Sequence, residues 1–296
     1  HLQNRVIEID RLFAIKNKIN MLKRVIFLIF IGSFTYSCAN KELIKPGEPI
    51  DSAYEKSMAF YEKGEYSDAA YGFDLVTRMG RGTTYAKEAQ YLLADSYFQN
   101  RQYLLAASEY ERFISYYPQD ERREEVEFNR ALSYYQQSPR YRLDQTPTMR
   151  AIELFQLFNT NYPNSEFVTE SAQKIDELRN KLARKNYESG QFYLRTLRYK
   201  AAAIYFDLTI DQFPESVWAE QSLLKIIETY VAYAEQSIQS KQIERYQLAV
   251  DNYEKFLQLF PQSNYRSDAE QYFLEANEQI LRLSTAQAQL SSEGDE

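Results

Sequence analysis

The sequence predicts an all-α protein: a superhelical array of about five helix pairs followed by a C-terminal capping helix. Three observations support this fold class. Only 8 Gly and 8 Pro occur in 296 residues, too few for the many tight turns that a β-sandwich or barrel of this length needs. Five copies of one longer motif occur along the chain, and each contains an Ala followed four positions later by an aromatic residue. Most of these copies end in a Pro, which stops a helix.

The composition also excludes most catalytic chemistry. The only His is His1 and the only Cys is Cys38, so His metal sites and Ser-His or Cys-His nucleophile pairs have nothing to be built from. We therefore expect a non-enzymatic protein with no catalytic residues, no metal site and no cofactor. The net charge is -7 and no run of Lys and Arg occurs, which argues against a nucleic-acid partner.

The first fifty residues have the pattern of an export signal rather than of a folded domain. Residues 1–20 carry no export features, and we interpret them as upstream sequence. From Met21 the chain has two cations, ten apolar-rich residues and then Cys38, which is typical of a signal peptide over 21–37. Because Cys38 would be the first residue after cleavage, the site resembles a bacterial lipoprotein signal, and we expect Cys38 to carry the lipid. The alternative is an ordinary signal peptide that happens to end near a Cys. Residues 38–50 then form a lipidated tether.

The repeated pairs of small and aromatic residues resemble tetratricopeptide repeats (TPRs). A small residue lets two antiparallel helices approach closely, and an aromatic residue four positions later lies on the same helix face. The five pairs are Ala69 and Phe73, Ala106 and Tyr110, Ala151 and Phe155, Ala202 and Phe206, and Ala249 and Tyr253. We place repeats 1 and 2 at 51–122, and repeats 3 to 5 with the capping helix at 123–290.

Helix boundaries follow from the residues between these pairs. We expect Ser165, Ser216, Ser263 and Asp120 to cap the helices that follow them. The third copy carries a loop at 138–147, in which Thr146 is the expected cap and Pro147 the first helical residue.

The C-terminal end of the array has its own signals. The fifth copy carries a polar insertion from 232 to 245 without Gly or Pro, so its helices should be longer than in a simple repeat. Ser267 and Glu270 form a capping box that opens a final helix to about Leu290, and 291–296 should fray.

The chain resembles the BamD family, the outer-membrane lipoproteins of the β-barrel assembly machinery. The resemblance rests on Cys38 ahead of the repeats, on five repeats with long third and fifth copies, and on the loop Leu143-Asp144-Gln145-Thr146-Pro147. It implies a lipid-anchored, periplasm-facing protein of the bacterial outer membrane. Its C-terminal half would bind the periplasmic domains of the central BamA-type barrel subunit, with other machinery subunits as further partners. Its N-terminal half would receive unfolded outer-membrane proteins.

A peptide-binding groove is predicted on the first helices of repeats 1 and 2. Adaptable apolar and aromatic side chains there would contact an extended segment, and hydroxyls and carboxylates would meet its backbone amides. The candidate groove residues are Tyr54, Met58, Tyr61, Tyr91, Asp95 and Phe98. Further along, Arg184 and Arg195 either meet an acidic partner or form surface pairs with Glu188.

A second function remains open from the sequence. A periplasmic TPR lipoprotein that serves as an adaptor in cell-wall or division processes needs the same fold and the same anchor. An enzyme is a distant third alternative, since Ser, Lys and carboxylates show no recognisable catalytic arrangement.

Overall fold

The computed structural model describes residues 44–45 and 47–293, and the predicted signal, the upstream segment and Cys38 lie outside these residues. The chain divides between Glu48 and Pro49, and every helix described below belongs to the second unit. None of these helices combines the length and apolarity that a bilayer crossing requires.

Eleven helices and no strand occur in the described part of the chain, which confirms the all-α prediction. They are α1 (Ile50–Glu62), α2 (Tyr66–Met79), α3 (Thr84–Gln99), α4 (Tyr103–Tyr116), α5 (Arg123–Gln137), α6 (Thr146–Asn161), α7 (Val168–Arg195), α8 (Tyr199–Gln212), α9 (Val217–Glu235), α10 (Gln239–Leu259) and α11 (Arg266–Glu293).

The helices form five consecutive pairs and a final capping helix, as predicted. Each helix packs against the next one in the chain, so every connection is local. First helices of neighbouring pairs also pack together, α1 with α3, α5 with α7 and α7 with α9, and α9 packs against α11. α3 and α5 are joined by the hydrogen bond from Tyr91 to Glu125. This second set of contacts is what stacks the repeats into one continuous structure.

The small residues of the repeat pattern lie where helices touch. Ala69, Ala106, Ala151, Ala202 and Ala249 are all fully buried, and so are their aromatic partners apart from Tyr253, which is 6% exposed. Gly190 on α7 shows why size matters there. A Cβ added to Gly190 would lie 2.6 Å from Cε1 of Phe206, which is far inside van der Waals contact.

Three of the turns within pairs share one backbone geometry. Gly64, Arg101 and Leu197 have φ values of 76°, 60° and 58°. In each turn, the N–H of the following residue donates to a carbonyl five positions back, the Schellman-type closure of a helix end. Glycine adopts this conformation at little cost, whereas Arg101 and Leu197 adopt it against the clash of their Cβ atoms.

The helix caps differ from the sequence prediction. Ser165 and Ser263 accept hydrogen bonds from the backbone N–H of Phe167 and Tyr265, two residues on, and so close a turn before the helix instead of capping it. Ser216 precedes α9 without a side-chain cap hydrogen bond. The physical reason is that a Ser hydroxyl reaches the N–H two residues away as readily as the one three away.

Two further boundaries need correction. Asp120 accepts from the N–H of Arg122, and α5 begins only after Arg122. Helix α11 begins at Arg266, so Ser267 lies inside its first turn and cannot be its cap.

Helix lengths follow the predicted insertions in part. α9 and α10 have 19 and 21 residues, so the helices of the fifth repeat are extended as expected. The sequence does not predict the 28-residue length of α7. Its polar sequence fits a long helix and a shorter helix followed by a loop equally well. α11 continues to Glu293, three residues beyond the expected Leu290.

Candidate functional site

The six candidate groove residues lie on α1 and α3, spaced so that each helix presents three of them on one face. All six are half-buried. We call this set the N-terminal strip; it consists of Tyr54, Met58, Tyr61, Tyr91, Asp95 and Phe98. Since α1 packs against α3, the two rows lie side by side.

The rings of the strip are held against the repeat cores. Tyr54 contacts Phe73 and Tyr85 with ring centroids 6.0 and 5.2 Å apart. In the next repeat, Tyr91 contacts the buried Phe113 at 6.0 Å. Edge contacts of this kind fix the ring orientation while part of each ring stays accessible.

Tyrosine hydroxyls of one repeat bond to carboxylates of the next. Tyr61 on α1 donates a short hydrogen bond to Asp95 on α3, and Tyr91 on α3 donates to Glu125 on α5 at 2.7 Å. Both pairs are 34 residues apart, which is one repeat period. We call these bonds, with the one described next, the tyrosine–carboxylate ladder.

The ladder continues into the long third repeat and keeps its hydroxyls protonated. Tyr135 on α5 donates to Glu177 on α7 at 2.5 Å. The hydrogen bond to Glu177, together with burial, raises the pKa of Tyr135 to about 12. Burial and the hydrogen bond to the neighbouring carboxylate likewise raise the pKa of Tyr61 and of Tyr91. These hydroxyls therefore stay donors at physiological pH.

Asp95 is the most heavily engaged member of the strip. Besides the bond from Tyr61, it accepts from the hydroxyl of the buried Tyr110 at 3.4 Å and from the Gln99 side-chain amide at 3.3 Å. Asp95 is thus already partnered inside the protein, and the expectation that its carboxylate is left for a peptide backbone does not fit this geometry. What the strip offers a ligand is mainly its aromatic and thioether surface.

Arg122 is a strip neighbour that the sequence reasoning missed. Its guanidinium lies over the ring of Tyr91, 4.6 Å from the centroid, and donates to Glu88 at 2.8 Å. It also bonds to Asp120, which in turn pairs with Lys87 at 2.8 Å. A sequence signal did exist, since Glu88 and Arg122 are 34 residues apart, which places them at equivalent positions of adjacent repeats, Glu88 on α3 and Arg122 directly before α5.

The loop between α5 and α6 is fixed by Gln145. This side chain is only 4% exposed, and its amide donates to the carbonyls of Arg140 and Leu143 at 2.9 and 3.0 Å. Its oxygen accepts from the hydroxyl of Thr148 at 2.7 Å. Gln145 therefore satisfies the loop backbone from inside and sets the loop shape.

The neighbours of Gln145 correct the predicted cap. Asp144 accepts from the N–H of Thr146 at 3.1 Å, and hydrogen bonds from Thr146 hold the pKa of Asp144 below its usual range. Thr146 is itself the first residue of α6, so the cap position belongs to Gln145 and Pro147 is the second helical residue. The predicted cap was wrong by one residue.

Arg184 and Arg195 separate in the structure. Arg184 pairs with Glu188 at 3.7 Å, which is the surface ion pair expected as the alternative to an acidic partner. Arg195 instead lines a cavity between α7, α8 and the loop, which is described below. The residues that the structure describes contain no group of three or more His, Cys, Asp or Glu side chains arranged to hold a metal ion.

Comparison with known proteins identifies the family. A family model described as YfiO, outer membrane lipoprotein, matches residues 46–244, which contain the N-terminal strip and the loop. The chain belongs to this family. Outer membrane protein assembly factors BamD are among its relatives, so its role is in outer membrane protein assembly.

The similarity to individual BamD proteins is distant but extensive. The BamD of Caulobacter vibrioides is 23% identical over 207 residues, 69% of this chain and 68% of the relative. The BamD of Rickettsia prowazekii is 27% identical over 205 residues, 69% of this chain and 82% of the relative. The BamD of Vibrio cholerae is 22% identical over 208 residues, 67% of this chain and 86% of the relative.

Among solved structures, a tetratricopeptide repeat protein from Parabacteroides merdae aligns with 78% of this chain and 99% of its own. It is 13% identical, and the TM-score is 0.34.

Proposed function

We propose that this BamD-family chain is a non-enzymatic scaffold of the β-barrel assembly machinery. It is anchored to the outer membrane through lipid on Cys38 and faces the periplasm. Residues 123–290 bind the periplasmic domains of the central BamA-type barrel subunit, and the groove within 51–122 receives unfolded outer-membrane proteins for folding and insertion. Other machinery subunits bind the same scaffold.

The observation that carries this proposal is the N-terminal strip. Its aromatic rings and Met58 are half-buried, so they offer apolar contact without being core residues. Their orientations are fixed by ring packing and, for Tyr61 and Tyr91, by hydrogen bonds to the next repeat. A preformed apolar surface of this kind loses little entropy when an extended segment binds.

Substrate capture is tested with peptides from the C-termini of barrel proteins, titrated against the full chain. Phe98→Ala removes an accessible ring of the strip, and we expect affinity to fall about tenfold or more, the loss typical of an aromatic anchor. Tyr61→Phe keeps the ring and removes only the hydroxyl, so affinity should change by less than about threefold if apolar contact dominates.

The matched control is Tyr71→Ala. Tyr71 is 51% exposed on α2, a second helix, so its loss removes an equally large ring away from the strip. Equal affinities for the native chain and Phe98→Ala, with native circular dichroism, would contradict substrate capture by the strip. Equal losses in Phe98→Ala and Tyr71→Ala would show that the peptide binds exposed rings without selectivity.

The partner assignment is tested by affinity purification. A tag placed after the C-terminus, mild detergent extraction of outer membranes and mass spectrometry identify what co-elutes. We expect a large barrel protein with periplasmic domains near one-to-one. Recovery of cell-wall or division proteins without such a barrel would favour the adaptor function instead.

A further inference from the structure

A cavity of about 340 Å³ lies where the loop between α5 and α6 meets α7 and α8. Tyr141 and Arg142 contribute from the loop, Lys185, Phe192 and Arg195 from α7, and Tyr205 from α8. We call it the loop pocket. Its volume is at the small end of ligand pockets, which suits a few side chains of a partner rather than a cofactor.

The wall that the loop provides is rigid. Lys181 and Lys185 on α7 donate to Ser138 and to the Leu143 carbonyl at 2.7 and 2.9 Å. The guanidinium of Arg184 lies 4.5 Å from the centroid of the Tyr141 ring. With Gln145 bonded from inside, the loop is held from both sides, so the loop pocket exists before any partner binds.

The charge of the loop pocket is opposite to that of the chain. Arg142, Lys185 and Arg195 line it together with one carboxylate, Glu188, whereas the whole chain carries a net charge of -7. Glu188 is already engaged by Arg184. Within the described residues, no carboxylate forms an ion pair with Arg142 or Arg195. Arg142 donates from Nε to the hydroxyl of Tyr141 at 3.0 Å, which leaves its other N–H groups and the guanidinium of Arg195 for carboxylates from outside.

Apolar surface lies directly beside these cations. Phe192 is 53% exposed, and its ring centroid is 5.5 Å from that of Tyr193. Tyr193 in turn stacks on Tyr205 at 5.2 Å with an interplanar angle of 16°. Accessible aromatic side chains next to arginine are typical of the residues that contribute most to binding at protein interfaces.

The larger cavity of about 660 Å³ between α2, α3 and α4 has less unpaired positive charge, although it also contains three arginines, Arg78, Arg81 and Arg112. Two of its arginines are already neutralised, Arg78 by Asp74 and Arg112 by Glu109. In the described residues, the larger cavity therefore keeps one arginine without a carboxylate partner, Arg81, beside the exposed Tyr116, whereas the loop pocket keeps two, Arg142 and Arg195, beside the exposed Phe192.

We propose that the loop pocket is a docking site for an acidic segment of a partner polypeptide that carries an aromatic side chain. Carboxylates of the segment bind Arg142 and Arg195, and its aromatic ring packs on Phe192. This goes beyond the proposed function: it is a second peptide-recognition site, in repeats 3 and 4, and it does not depend on substrate capture by the N-terminal strip.

The test uses two synthetic ten-residue peptides, each with four Asp or Glu and otherwise Gly and Ser. One has a central Trp and the other has Ala in its place. Both are titrated by fluorescence anisotropy against the full chain. We expect the Trp peptide to bind at least tenfold more tightly than the Ala peptide. Arg142→Glu combined with Arg195→Glu should weaken binding of the Trp peptide at least tenfold, because carboxylates that repel the acidic peptide replace both guanidinium groups.

Phe192→Ser separates the apolar contact from the charge. It should remove the preference for the Trp peptide while leaving the affinity of the Ala peptide unchanged. Lys241→Glu, at an exposed position on α10, and Leu281→Ser, 70% exposed on α11, are the matched controls and should change nothing. Phe98→Ala in the N-terminal strip should also leave Trp-peptide binding intact, which separates this site from the strip.

Three outcomes would overturn the proposal. One is no binding of either peptide at millimolar concentration. Another is equal loss in the pocket variants and in Lys241→Glu, which would show unspecific electrostatics. The third is that vesicles of phosphatidylglycerol, rather than the peptides, bind the native chain and lose binding in Arg142→Glu with Arg195→Glu. That result would assign the pocket to an anionic lipid surface.

Discussion

Asp120, at the junction of the second and third repeats, offers the sharpest test of how the array is held together. Its side chain is only 3% exposed and receives hydrogen bonds from the N–H and Nε of Arg122 at 3.0 and 3.1 Å. Lys87 pairs with it at 2.8 Å. Burial alone raises the pKa of Asp120, but the hydrogen bonds from Lys87 and Arg122 outweigh it and lower the pKa to about 2.

The magnitude follows from that displacement. The pKa falls from 3.8 to about 2, and each unit corresponds to about 1.36 kcal/mol. The ionised carboxylate therefore contributes about 2 kcal/mol to the free energy of unfolding, rounded down because the half-exposed Lys87 is screened by solvent. We expect Asp120→Asn to lose about this amount near neutral pH.

The pH dependence of the free energy of unfolding tests this account of Asp120. Because the folded-state pKa is depressed, the contribution is fully present above the unfolded pKa of 3.8 and is lost as the pH falls through about 2. Urea unfolding followed by circular dichroism should show a gap between native chain and variant that shrinks to about half near pH 3. Asp251→Asn, at an exposed position on α10, should change stability by less than about 0.5 kcal/mol. A gap for Asp120→Asn below that value near pH 7, or one that is constant with pH, would refute the reasoning.

Five further substitutions test three separate features. Leu197→Gly should raise the free energy of unfolding by about 1 kcal/mol, because glycine adopts a φ of 58° without the Cβ clash. Gly64→Ala should lower the free energy of unfolding by a similar amount, because Gly64 has a φ of 76°. Melting temperatures of the two variants equal to that of the native chain would contradict this. Gly190→Ala should destabilise the chain by about 1–3 kcal/mol despite its better helix propensity, and Phe206→Leu should relieve part of that loss in the double variant. Burial raises the pKa of Asp207, so replacing its charge in Asp207→Asn should raise the melting temperature near pH 7. This gain should vanish in acid, where the native carboxyl is protonated as well. A gain in melting temperature that persists in acid would show that burial of the charge is not the cause.

The repeat pattern predicts the existence and order of the helices well, because it records which residues must approach closely. Ala69 with Phe73 and their four counterpart pairs predict five helix pairs from the sequence alone. Helix ends were less predictable. A Ser such as Ser165 can bond to an N–H two or three residues on, and nothing in the local sequence decides between a turn and a cap.

The candidate site was predictable in position but not in detail. The helix face that bears Tyr61 and Tyr91 followed from the repeat register. That their hydroxyls are already paired depends on how closely neighbouring first helices approach, which only the stacked structure reveals. The loop pocket likewise requires the contact of Lys185 with Leu143, 42 residues away along the chain. A separation of 42 residues does not match the repeat period of 34, so the repeat pattern gives no signal for this contact.

The tyrosine–carboxylate ladder also determines how the groove responds to its surroundings. Each bond joins two repeats through a neutral donor and a charged acceptor, so it contains no pair of opposite charges that dissolved ions could separate at long range. Directional bonds of fixed length therefore help to set the angle between successive repeats, alongside the ion pairs of Arg122 with Glu88 and of Lys87 with Asp120. Concentrated salt should weaken those ion pairs but not the ladder, so the surface presented to an incoming chain should keep its curvature better than in an array joined by ion pairs alone.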